Sequence, residues 1–361
     1  MKILFIITGL GMGGAERQVC DLADKYVQLG HQVLLVVLGG EVNNRPHEQS
    51  VKIINLDMEK KPLNFISAYF RAKKAIKSFE PDVVHSHMIH ANIFSRLLRV
   101  TSRMPVLVNT AHSKNEGGYF RMLAYRLTDY LVDISTNVSK EAVDEFLAKG
   151  FSRSGKLIPM HNGIDHNKFV FSAKWRDEKR NELGIEKTTP LLLSVGRLTE
   201  AKDYPNLLKA FLMLNLTPKP QLVVIGAGEL EVSLKQLAEE LNCSERIHWV
   251  GMKEDVQEWY SACDLFVLSS RWEGFGLVVA EAMSCERPIV VTDAGGVAEV
   301  VGNSQLVVPV NNSDALAEKI VEVLNYQEDE LKIILSNNRQ RIVDNFSIEK
   351  IAEQWLQIYK A

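Results

Sequence analysis

Short, mostly apolar runs alternate with amphipathic stretches of helical spacing along nearly the whole chain of 361 residues. Runs of this kind are typical of parallel strands that are buried on both faces, and the stretches between them indicate covering helices. The first half of the chain therefore predicts a parallel sheet covered by helices. Its strands are expected at Ile3–Ile7, Gln32–Leu38, Val83–His87, Val106–Thr110, Asp133–Asn137 and Leu157–His161, and its helices over 15–29, 63–79, 89–102, 119–131 and 139–149.

A second alternation begins after a polar stretch at 166–188 and predicts a second domain of the same kind. We place the first domain at 1–165 and the second at 166–345, followed by a C-terminal helix at about 346–361. The second set of strands is expected at Leu191–Val195, Gln221–Ile225, Ile247–Val250, Leu265–Leu268 and Pro288–Thr292, and the helices over 204–214, 229–241, 276–285 and 313–325.

The composition is that of an ordinary globular protein, with 46% hydrophobic and 24% charged residues. No apolar run is long enough for a transmembrane helix, and the apolar start of the chain is interpreted as a first buried strand rather than a signal peptide. Four cysteines without paired spacing predict reduced thiols, and hence a cytoplasmic protein.

The net charge of −3 conceals an excess of +5 in residues 1–165 and of −8 in the remainder. Residues 60–126 hold twelve basic side chains against three acidic ones, which predicts docking on an anionic surface. The helix at 63–79 is the expected contact, unless its apolar residues form an ordinary core face. The residues concerned are Phe65, Ile66, Tyr69, Phe70, Ile76 and Phe79, with Arg71, Lys73, Lys74 and Lys77.

The stretch Ser270–Glu281 carries the most specific chemistry. It follows a buried strand and contains a glycine-rich turn, beyond which a helix is expected to open at about Gly276. Helix entrances with glycines attract phosphate. Glu273 and Glu281 would repel a phosphate but can accept hydrogen bonds from sugar hydroxyls, so the stretch predicts a nucleotide-sugar site. The alternative is a packing unit whose two glutamates lie in solvent.

A second turn, Gly196–Asp203, follows the first strand of the second domain and carries two cations. Arg197 and Lys202 would hold a diphosphate leaving group at the edge where open α/β sheets bind ligands. No two aspartates lie two positions apart, so the chain has no Asp-x-Asp pair to hold a metal on a diphosphate. We therefore expect a metal-independent site and no cofactor.

The first domain has its own candidates. The loop from Gly9 to Glu16 imitates a dinucleotide-binding fingerprint, but the second strand lacks the acidic residue that this fingerprint requires. His112 follows a strand, where it is a ligand contact or a satisfied core residue. His85, His87 and His90 are crowded as in a metal site, but no cysteine or carboxylate cluster accompanies them, so we do not expect zinc.

The spacing from Glu273 to Glu281, with Gly-Phe-Gly-Leu between them, resembles the Glu-x7-Glu motif of retaining GT-B glycosyltransferases of family 4, also called group 1. The Gly-Gly-Ala-Glu loop at 13–16 and the Gly-Arg-x-x-x-x-Lys element at 196–202 are similar to motifs of the same family, and they occur in the same order. The resemblance implies an α/β fold of GT-B architecture: two Rossmann-like, doubly wound domains face an interdomain cleft, and the last helix crosses back onto the first.

The resemblance also implies residue roles, with the acceptor on the first domain and the sugar donor on the second. The implied catalytic residues are Glu273, His112, Arg197 and Lys202. The implied donor-binding residues are Gly13, Gly14, Arg197, Lys202, Gly226, Gly228, Glu273, Gly274, Phe275, Gly276, Leu277 and Glu281. The implied acceptor-side residues are Gly13, Glu16, His85 and His87.

The expected reaction transfers a hexose or N-acetylhexosamine from a nucleotide-sugar, UDP-linked first and GDP-mannose next, with retention of configuration. The expected acceptor is a glycan, either polyprenyl-diphosphate-linked or an oligosaccharide of lipopolysaccharide, capsule or O-antigen. The enzyme would then work in the cytoplasm, peripheral to the inner face of the plasma membrane, and without nucleic acid. Open alternatives are a soluble acceptor, a nucleotide-sugar 2-epimerase or phosphorylase, a non-catalytic sugar-nucleotide sensor and, most distantly, an oxidoreductase.

Overall fold

The computed structural model describes residues 1–58, 62–114, 118–153 and 155–360. The chain forms two compact units, of which the first contains Met1–Gly163 and Ile348–Ala361 and the second contains Ile164–Ser347. Each unit is built on its own parallel sheet.

The described strands of the first unit form one sheet in the order β3-β2-β1-β4-β5-β6-β7, with all neighbours parallel. Strands β1 and β2 are apolar and buried beyond their first residues, whereas β4, β5 and β6 also bury polar side chains, because helices cover both faces of the sheet. The strands are β1 Lys2–Ile7, β2 Gln32–Val37, β3 Lys52–Asn55, β4 Val83–His87, β5 Val106–Ala111, β6 Ile134–Asn137 and β7 Leu157–Pro159, and the helices are α1 Gly14–Gln28, α2 Pro62–Phe79, α3 Ile89–Arg99, α4 Tyr119–Leu127 and α5 Lys140–Ala148.

The second unit repeats this plan, with the described strands in the order β10-β9-β8-β11-β12-β13, again all parallel. Its strands are β8 Leu191–Val195, β9 Gln221–Ile225, β10 Ile247–Gly251, β11 Leu265–Leu268, β12 Ile289–Thr292 and β13 Val307–Val308. Its helices are α6 Ala173–Glu182, α7 Tyr204–Met213, α8 Glu231–Glu240, α9 Val256–Ala262, α10 Leu277–Ser284, α11 Val297–Val301, α12 Ser313–Leu324 and α13 Glu328–Phe346, and α14 Ile348–Ile358 then closes the chain.

Helix α14 belongs to the core of the first unit. Its apolar face, which includes Trp355, packs in one cluster with β1 and α1. Lys25 of α1 also donates to Glu349 at 2.7 Å. A side chain at Gly163 would come within 2.9 Å of the Ile348 Cα, so this approach of the backbones requires glycine.

Several elements were missing from the sequence prediction. Strands β3 and β13 and helices α9 and α11 are short, and short elements carry little periodicity. Helix α6 lies in the stretch that the sequence analysis described as polar. It is held to the rest of the unit by polar contacts, because Arg176 and Arg180 both pair with Asp264. No helix among the described residues is long and apolar enough to cross a membrane.

Candidate active site

The candidate residues of the second unit lie at the carboxyl edge of its sheet, where open parallel sheets bind ligands. The turns that follow β8, β9 and β11 come together there. Backbone bonds join them: Leu198 N–H donates to Ala227 O at 3.0 Å, and Arg271 N–H donates to Ala201 O at 2.8 Å. Residues far apart in the sequence therefore form one surface.

Lys202 and Glu273 form an ion pair within this surface. The Lys202 Nζ lies 2.6 Å from Glu273 Oε1, and the Ser270 hydroxyl donates to the same oxygen at 2.6 Å. The two side chains are only 17% and 14% exposed. The main chain is also fixed, because Ser269 Oγ donates to Lys202 O at 2.9 Å and Glu273 N–H donates to Ala294 O at 2.9 Å. Cation and carboxylate are therefore aligned before any ligand arrives.

Glu281 lies in the second turn of α10 and is held by a buried tyrosine. The Tyr260 hydroxyl donates to Glu281 Oε2 at 2.8 Å and also lies 3.1 Å from Val278 O. Burial, followed by the Glu281 charge, raises the pKa of Tyr260 well above its ordinary value. Tyr260 thus remains a hydrogen-bond donor, which fixes one carboxylate oxygen of Glu281.

The other candidates of this unit act through their backbones or are exposed. Gly226 has a φ of +142°, and a Cβ there would overlap the carbonyl oxygen of Gly196, whereas one at Gly228 would overlap that of Leu198. Both turns therefore require glycine. The Arg197 side chain is exposed and has no polar partner among the described residues, so it is available to an anion.

The Gly274–Leu277 segment forms the entrance of α10. Gly276 precedes the helix with a φ of +88°, and Leu277 is its first residue. Phe275 is a core residue, 3% exposed, whose ring packs on Phe346 with centroids 5.5 Å apart. A ligand at this entrance would therefore meet backbone groups rather than the phenyl ring.

One pair at this edge was missed by the sequence reading. The Arg271 Nε lies 3.0 Å from Asp203 Oδ2, and the Asp203 side chain is only 3% exposed. This ion pair joins the turn that carries Lys202 to the turn that carries Glu273. The acidic residue at the end of the Gly-Arg-x-x-x-x-Lys element was the available signal, but its partner lies 68 positions away.

In the first unit, the Gly9–Glu16 loop follows β1 and ends at the start of α1. Gly13 is extended, Gly14 is the first helical residue, and Glu16 is in the first turn. A Cβ at Gly13 would overlap the Glu16 carboxylate. The glycine therefore leaves room for that carboxylate beside the helix N-terminus, where the helix dipole favours negative charge.

The predicted histidines have different surroundings. His85 is 0% exposed, and its ring nitrogens lie 2.6 Å from Tyr359 Oη and 2.7 Å from Thr110 Oγ1. The structure thus places His85 in the core rather than on an acceptor face, because α14 covers it. His87 is also buried, and its Nδ1 lies 3.1 Å from Nε2 of the half-buried His112.

Both histidines of this pair are neutral at pH 7. Burial lowers the pKa of His112 to about 4, and burial together with the neighbouring His85 and His112 rings lowers that of His87 well below its ordinary value. Among the described residues, no group of three His, Cys, Asp or Glu side chains is arranged to hold a metal ion.

The basic segment presents apolar side chains at its surface. On α2, Ile76 is in the core while Phe65, Ile66 and Phe70 are exposed, so only part of the predicted face is free. Helix α4 was predicted from the sequence, but its apolar surface was not: Phe120 is 83% and Leu127 64% exposed. Leu123 is exposed on the same helix, next to Arg121 and Arg126, and Tyr130 follows it. Lys60, Lys61 and Glu116 lie outside the described residues.

Two family models match the chain and together cover most of it. Residues 12–168 match Glycosyltransferase Family 4, and residues 176–341 match Glycosyl transferases group 1. The chain belongs to the GT-B glycosyltransferases of family 4, a class of transferase.

Curated relatives include the UDP-Gal:alpha-D-GlcNAc-diphosphoundecaprenol alpha-1,3-galactosyltransferase of Escherichia coli, 27% identical over 84% of this chain and 81% of that protein. Another is the N-acetylgalactosamine-N,N'-diacetylbacillosaminyl-diphospho-undecaprenol 4-alpha-N-acetylgalactosaminyltransferase of Campylobacter jejuni, 26% identical over 99% of this chain and 98% of that protein. Among solved structures, Anabaena HepE in complex with UDP is 21% identical, covers all of both chains and has a TM-score of 0.86. This likeness confirms two Rossmann-like domains of the GT-B type.

Proposed function

We propose that this glycosyltransferase moves a hexose or N-acetylhexosamine from a nucleotide-sugar, a UDP-sugar first and GDP-mannose next, to a lipid-linked or lipopolysaccharide-type glycan. The observation that carries the proposal is the Lys202–Glu273 pair, held by Ser270 at the carboxyl edge of the second sheet. Two further findings support the donor class. The solved structures of HepE include complexes with UDP and with UDP-glucose, and the Escherichia coli relative is named for UDP-galactose.

In this proposal the second unit binds the donor. The exposed Arg197 and the Lys202 ammonium hold the diphosphate, as two fixed cations whose charge is already in position. Glu281, whose carboxylate accepts from the Tyr260 hydroxyl, accepts from the ribose hydroxyls. Glu273 accepts from a hydroxyl of the transferred sugar, next to the cation that holds its leaving group. The glycine turn at Gly226 and Gly228 brings its backbone close to this edge, and the Gly226 N–H is itself bonded to Gly251 O at 2.9 Å.

The charge distribution supports transfer with retention through the leaving-group face. Glu273 shares its charge with Lys202 and accepts from Ser270, which makes it a poor nucleophile. The bond between the anomeric carbon and the phosphate oxygen breaks, and its electron pair leaves with the diphosphate. The acceptor oxygen bonds to the same carbon and passes its proton to the departing diphosphate. Lys202 and Arg197 stabilise the negative charge that develops, so no metal ion is required in this scheme.

The first unit is assigned the acceptor, with contributions from Gly13, Glu16 and His87, while Gly14 is assigned to donor binding and His112 to catalysis. Because His112 is neutral, it can exchange a hydrogen bond with a sugar hydroxyl without introducing a charge. The named acceptors of the Escherichia coli and Campylobacter jejuni relatives are linked to diphosphoundecaprenol, which supports a lipid-linked acceptor here.

A lipid-linked acceptor implies contact with an anionic membrane, and α4 is the best-suited surface of the first unit. Phe120 and Leu127 are exposed on it next to Arg121 and Arg126. Each basic residue at an anionic surface contributes about 1 kcal/mol to membrane binding, and exposed aromatic and aliphatic side chains strengthen it by inserting into the lipid interface. Helix α2 also exposes Lys74 and Lys77, whereas its Ile76 is buried in the core.

The decisive experiment has two stages. A panel of UDP, GDP and ADP is first tested by thermal shift, since a ligand at 100 times its Kd stabilises by about 2.7 kcal/mol. The best nucleotide then selects the donors to be tested for transfer to a polyprenyl-diphosphate-linked glycan, with NMR of the new linkage. Retained anomeric configuration supports the proposal. Interconversion of donors without acceptor indicates an epimerase, and nucleotide binding without turnover of any donor indicates a sensor.

The site assignment is tested with Arg197→Ala and Lys202→Ala, which should each lower turnover by orders of magnitude in a folded protein. Lys219→Ala, a surface change in the same unit, is the control. Near-normal turnover of both site variants would move the diphosphate site elsewhere.

A further inference from the structure

Asp203 is the N-cap residue of α7, but its carboxylate does not serve that helix. An aspartate at this position usually accepts a hydrogen bond from a backbone N–H of the first turn. Among the described residues, Asp203 makes no such capping bond. Its carboxylate faces Arg271, in the turn after β11: Arg271 Nη2 donates to Asp203 Oδ1 at 3.2 Å, and Arg271 Nε lies 3.0 Å from Asp203 Oδ2. The carboxylate therefore joins two turns instead of capping a helix.

The turn after β11 holds three consecutive residues, with Lys202 in the middle. The Arg271 N–H donates to Ala201 O at 2.8 Å. The Ser269 hydroxyl donates to Lys202 O at 2.9 Å. The third contact is the pair between the Asp203 carboxylate and the Arg271 guanidinium. The main chain is thus fixed before, at and after Lys202, and the Asp203 pair is the contact on its C-terminal side.

The Lys202 side chain reaches its partner by a narrow path. A Cβ at Gly196 would come within 2.8 Å of Lys202 Cε and 3.2 Å of Lys202 Nζ, so the side chain passes directly over this glycine. The ammonium ends 2.6 Å from Glu273 Oε1. Because the side chain extends from a fixed Cα, a shift of the main chain at Lys202 would displace the ammonium from Glu273.

The geometry of the Asp203–Arg271 pair does not favour direct contact with a phosphate. The Asp203 side chain is only 3% exposed, and its negative charge would repel a phosphate. The Arg271 side chain is 37% exposed, but its guanidinium already faces two carboxylates, because Glu200 Oε1 lies 3.3 Å from Arg271 Nη1. An effect of the pair on an anionic ligand would therefore pass through Lys202.

We infer that Asp203 and Arg271 are positioning residues that hold the Lys202 ammonium next to Glu273, where it meets the phosphate that carries the sugar. This role rests on the proposed function, in which Glu273 binds the transferred sugar and Lys202 holds the diphosphate. Loss of the pair should weaken the contact with that second phosphate and leave the contacts with the nucleoside and the first phosphate unchanged.

The ratio of the affinities for UDP and UMP, measured by calorimetry, isolates the second phosphate; GDP and GMP replace them if GDP gives the larger thermal shift. Lys202→Met sets the full effect, a fall in the ratio of about tenfold to a hundredfold for one charge-assisted contact. Asp203→Asn removes the charge in the same shape, and asparagine tolerates the left-handed backbone at this position, where φ is +45°. It should lower the ratio about three- to tenfold, with the UMP affinity unchanged.

Variants of Arg271 provide a rescue. Arg271→Gln removes the charge and should lower the ratio as Asp203→Asn does, whereas Arg271→Lys keeps a cation for Asp203 and should restore most of it. If Asp203→Asn does not fold, the comparison of these two variants decides, and an equal ratio in both would overturn the inference.

Arg176→Gln is the matched control, because it breaks a pair at the opposite edge of the same two strands. Arg176 pairs with Asp264, which precedes β11 and accepts from the N–H of Leu191, the first residue of β8, at 2.7 Å. This variant should lower the stability of the second unit but leave the UDP-to-UMP ratio at the wild-type value. A fall in the ratio as large as that of Asp203→Asn would show that general destabilisation is the cause, and would overturn the inference.

Correlation spectra of the 15N-labelled lysine ammonium groups give a readout without nucleotide. The Lys202 signal, identified by its loss in Lys202→Met, should exchange with water faster in Asp203→Asn than in the wild type. Wild-type exchange, or a wild-type UDP-to-UMP ratio, in folded Asp203→Asn would overturn the positioning role and leave the proposed function intact. A lower ratio in Arg271→Gln alone would also overturn it, because Arg271 would then contact the nucleotide itself.

Failure of the proposed function has a different signature. A wild-type protein that binds the diphosphate no better than the monophosphate, or a Lys202→Met variant that keeps the wild-type ratio, would reject the diphosphate site. The ammonium spectra would still show whether Asp203 and Arg271 hold Lys202 in place.

Discussion

Separating Lys202 from Glu273 tests the centre of the proposed donor site. Lys202→Met removes the ammonium but keeps most of the side-chain volume, and Glu273→Gln removes the carboxylate charge in the same shape. In wild-type protein the two charged atoms are 2.6 Å apart, and the side chains are 17% and 14% exposed. The pair is therefore closer to a buried ion pair than to a surface one.

The expected loss of unfolding free energy depends on which charged group remains in each variant without its partner. Lys202→Met leaves the Glu273 carboxylate mostly out of water, with the Ser270 hydroxyl as a remaining donor. Breaking a fully buried pair costs about 3–5 kcal/mol, and the partial exposure here places the expected loss at about 2–3 kcal/mol. Glu273→Gln should cost less, because the long Lys202 side chain can turn towards water. The double variant should be more stable than additivity predicts, by about 1–2 kcal/mol.

The assay is urea unfolding, with hydrogen exchange of the β8 and β11 amides to report on the second unit. Lys187→Met is the matched control, because its pair with Asp177 joins side chains that are 77% and 50% exposed. An exposed pair of this kind contributes about 0–1 kcal/mol. The reasoning about a prealigned pair is wrong if Lys202→Met lowers the free energy of unfolding no more than Lys187→Met does, and if the effects of Lys202→Met and Glu273→Gln are additive in the double variant. Lys202→Met should also abolish the thermal shift with the preferred nucleotide, whereas Lys187→Met should keep it.

Four further outcomes are expected. Glu281→Ala should weaken donor binding about tenfold to a hundredfold, since charge-assisted bonds are worth ~1.5–3 kcal/mol; donor kinetics equal to wild type would remove Glu281 from the site. Activity should survive EDTA, and loss that Mg²⁺ or Mn²⁺ restores would contradict the metal-free scheme. Phe120→Ser with Leu127→Ser should reduce pelleting with anionic vesicles, and salt should weaken the wild-type interaction; Val232→Ser, an equally exposed change in the second unit, is the control, and equal binding to neutral lipid would exclude electrostatic docking. The free energy of unfolding should fall as the pH drops from about 6.5, because His112 takes up a proton in the unfolded chain but not in the folded one, where its pKa is about 4. Acid unfolding curves of His112→Gln, which lacks this proton uptake, should be flatter.

The sequence by itself determined the architecture of each unit. Parallel strands buried on both faces leave uninterrupted apolar runs, and the predicted strands from Ile3–Ile7 to Pro288–Thr292 reappear in the structure with small changes at their ends. Glycine left an equally clear mark. Gly226 and Gly276 have positive φ values, and only glycine adopts these without strain, so the turns at the carboxyl edge of the second sheet could be recognised from composition.

Only the tertiary structure decided which side chains have partners. Periodicity shows that a residue is apolar or polar, but not what lies opposite it. His85 and Tyr359 are 274 positions apart, and their contact turns a predicted acceptor-side histidine into a core residue. For the same reason the sequence did not show which residues of α2 and α4 are buried: on α4, Met122 and Tyr125 lie in the core, while Phe120 is 83% exposed. Lys202 and Glu273 were each identified as candidates from the sequence, but they form an ion pair only because β8 and β11 are neighbours in the sheet.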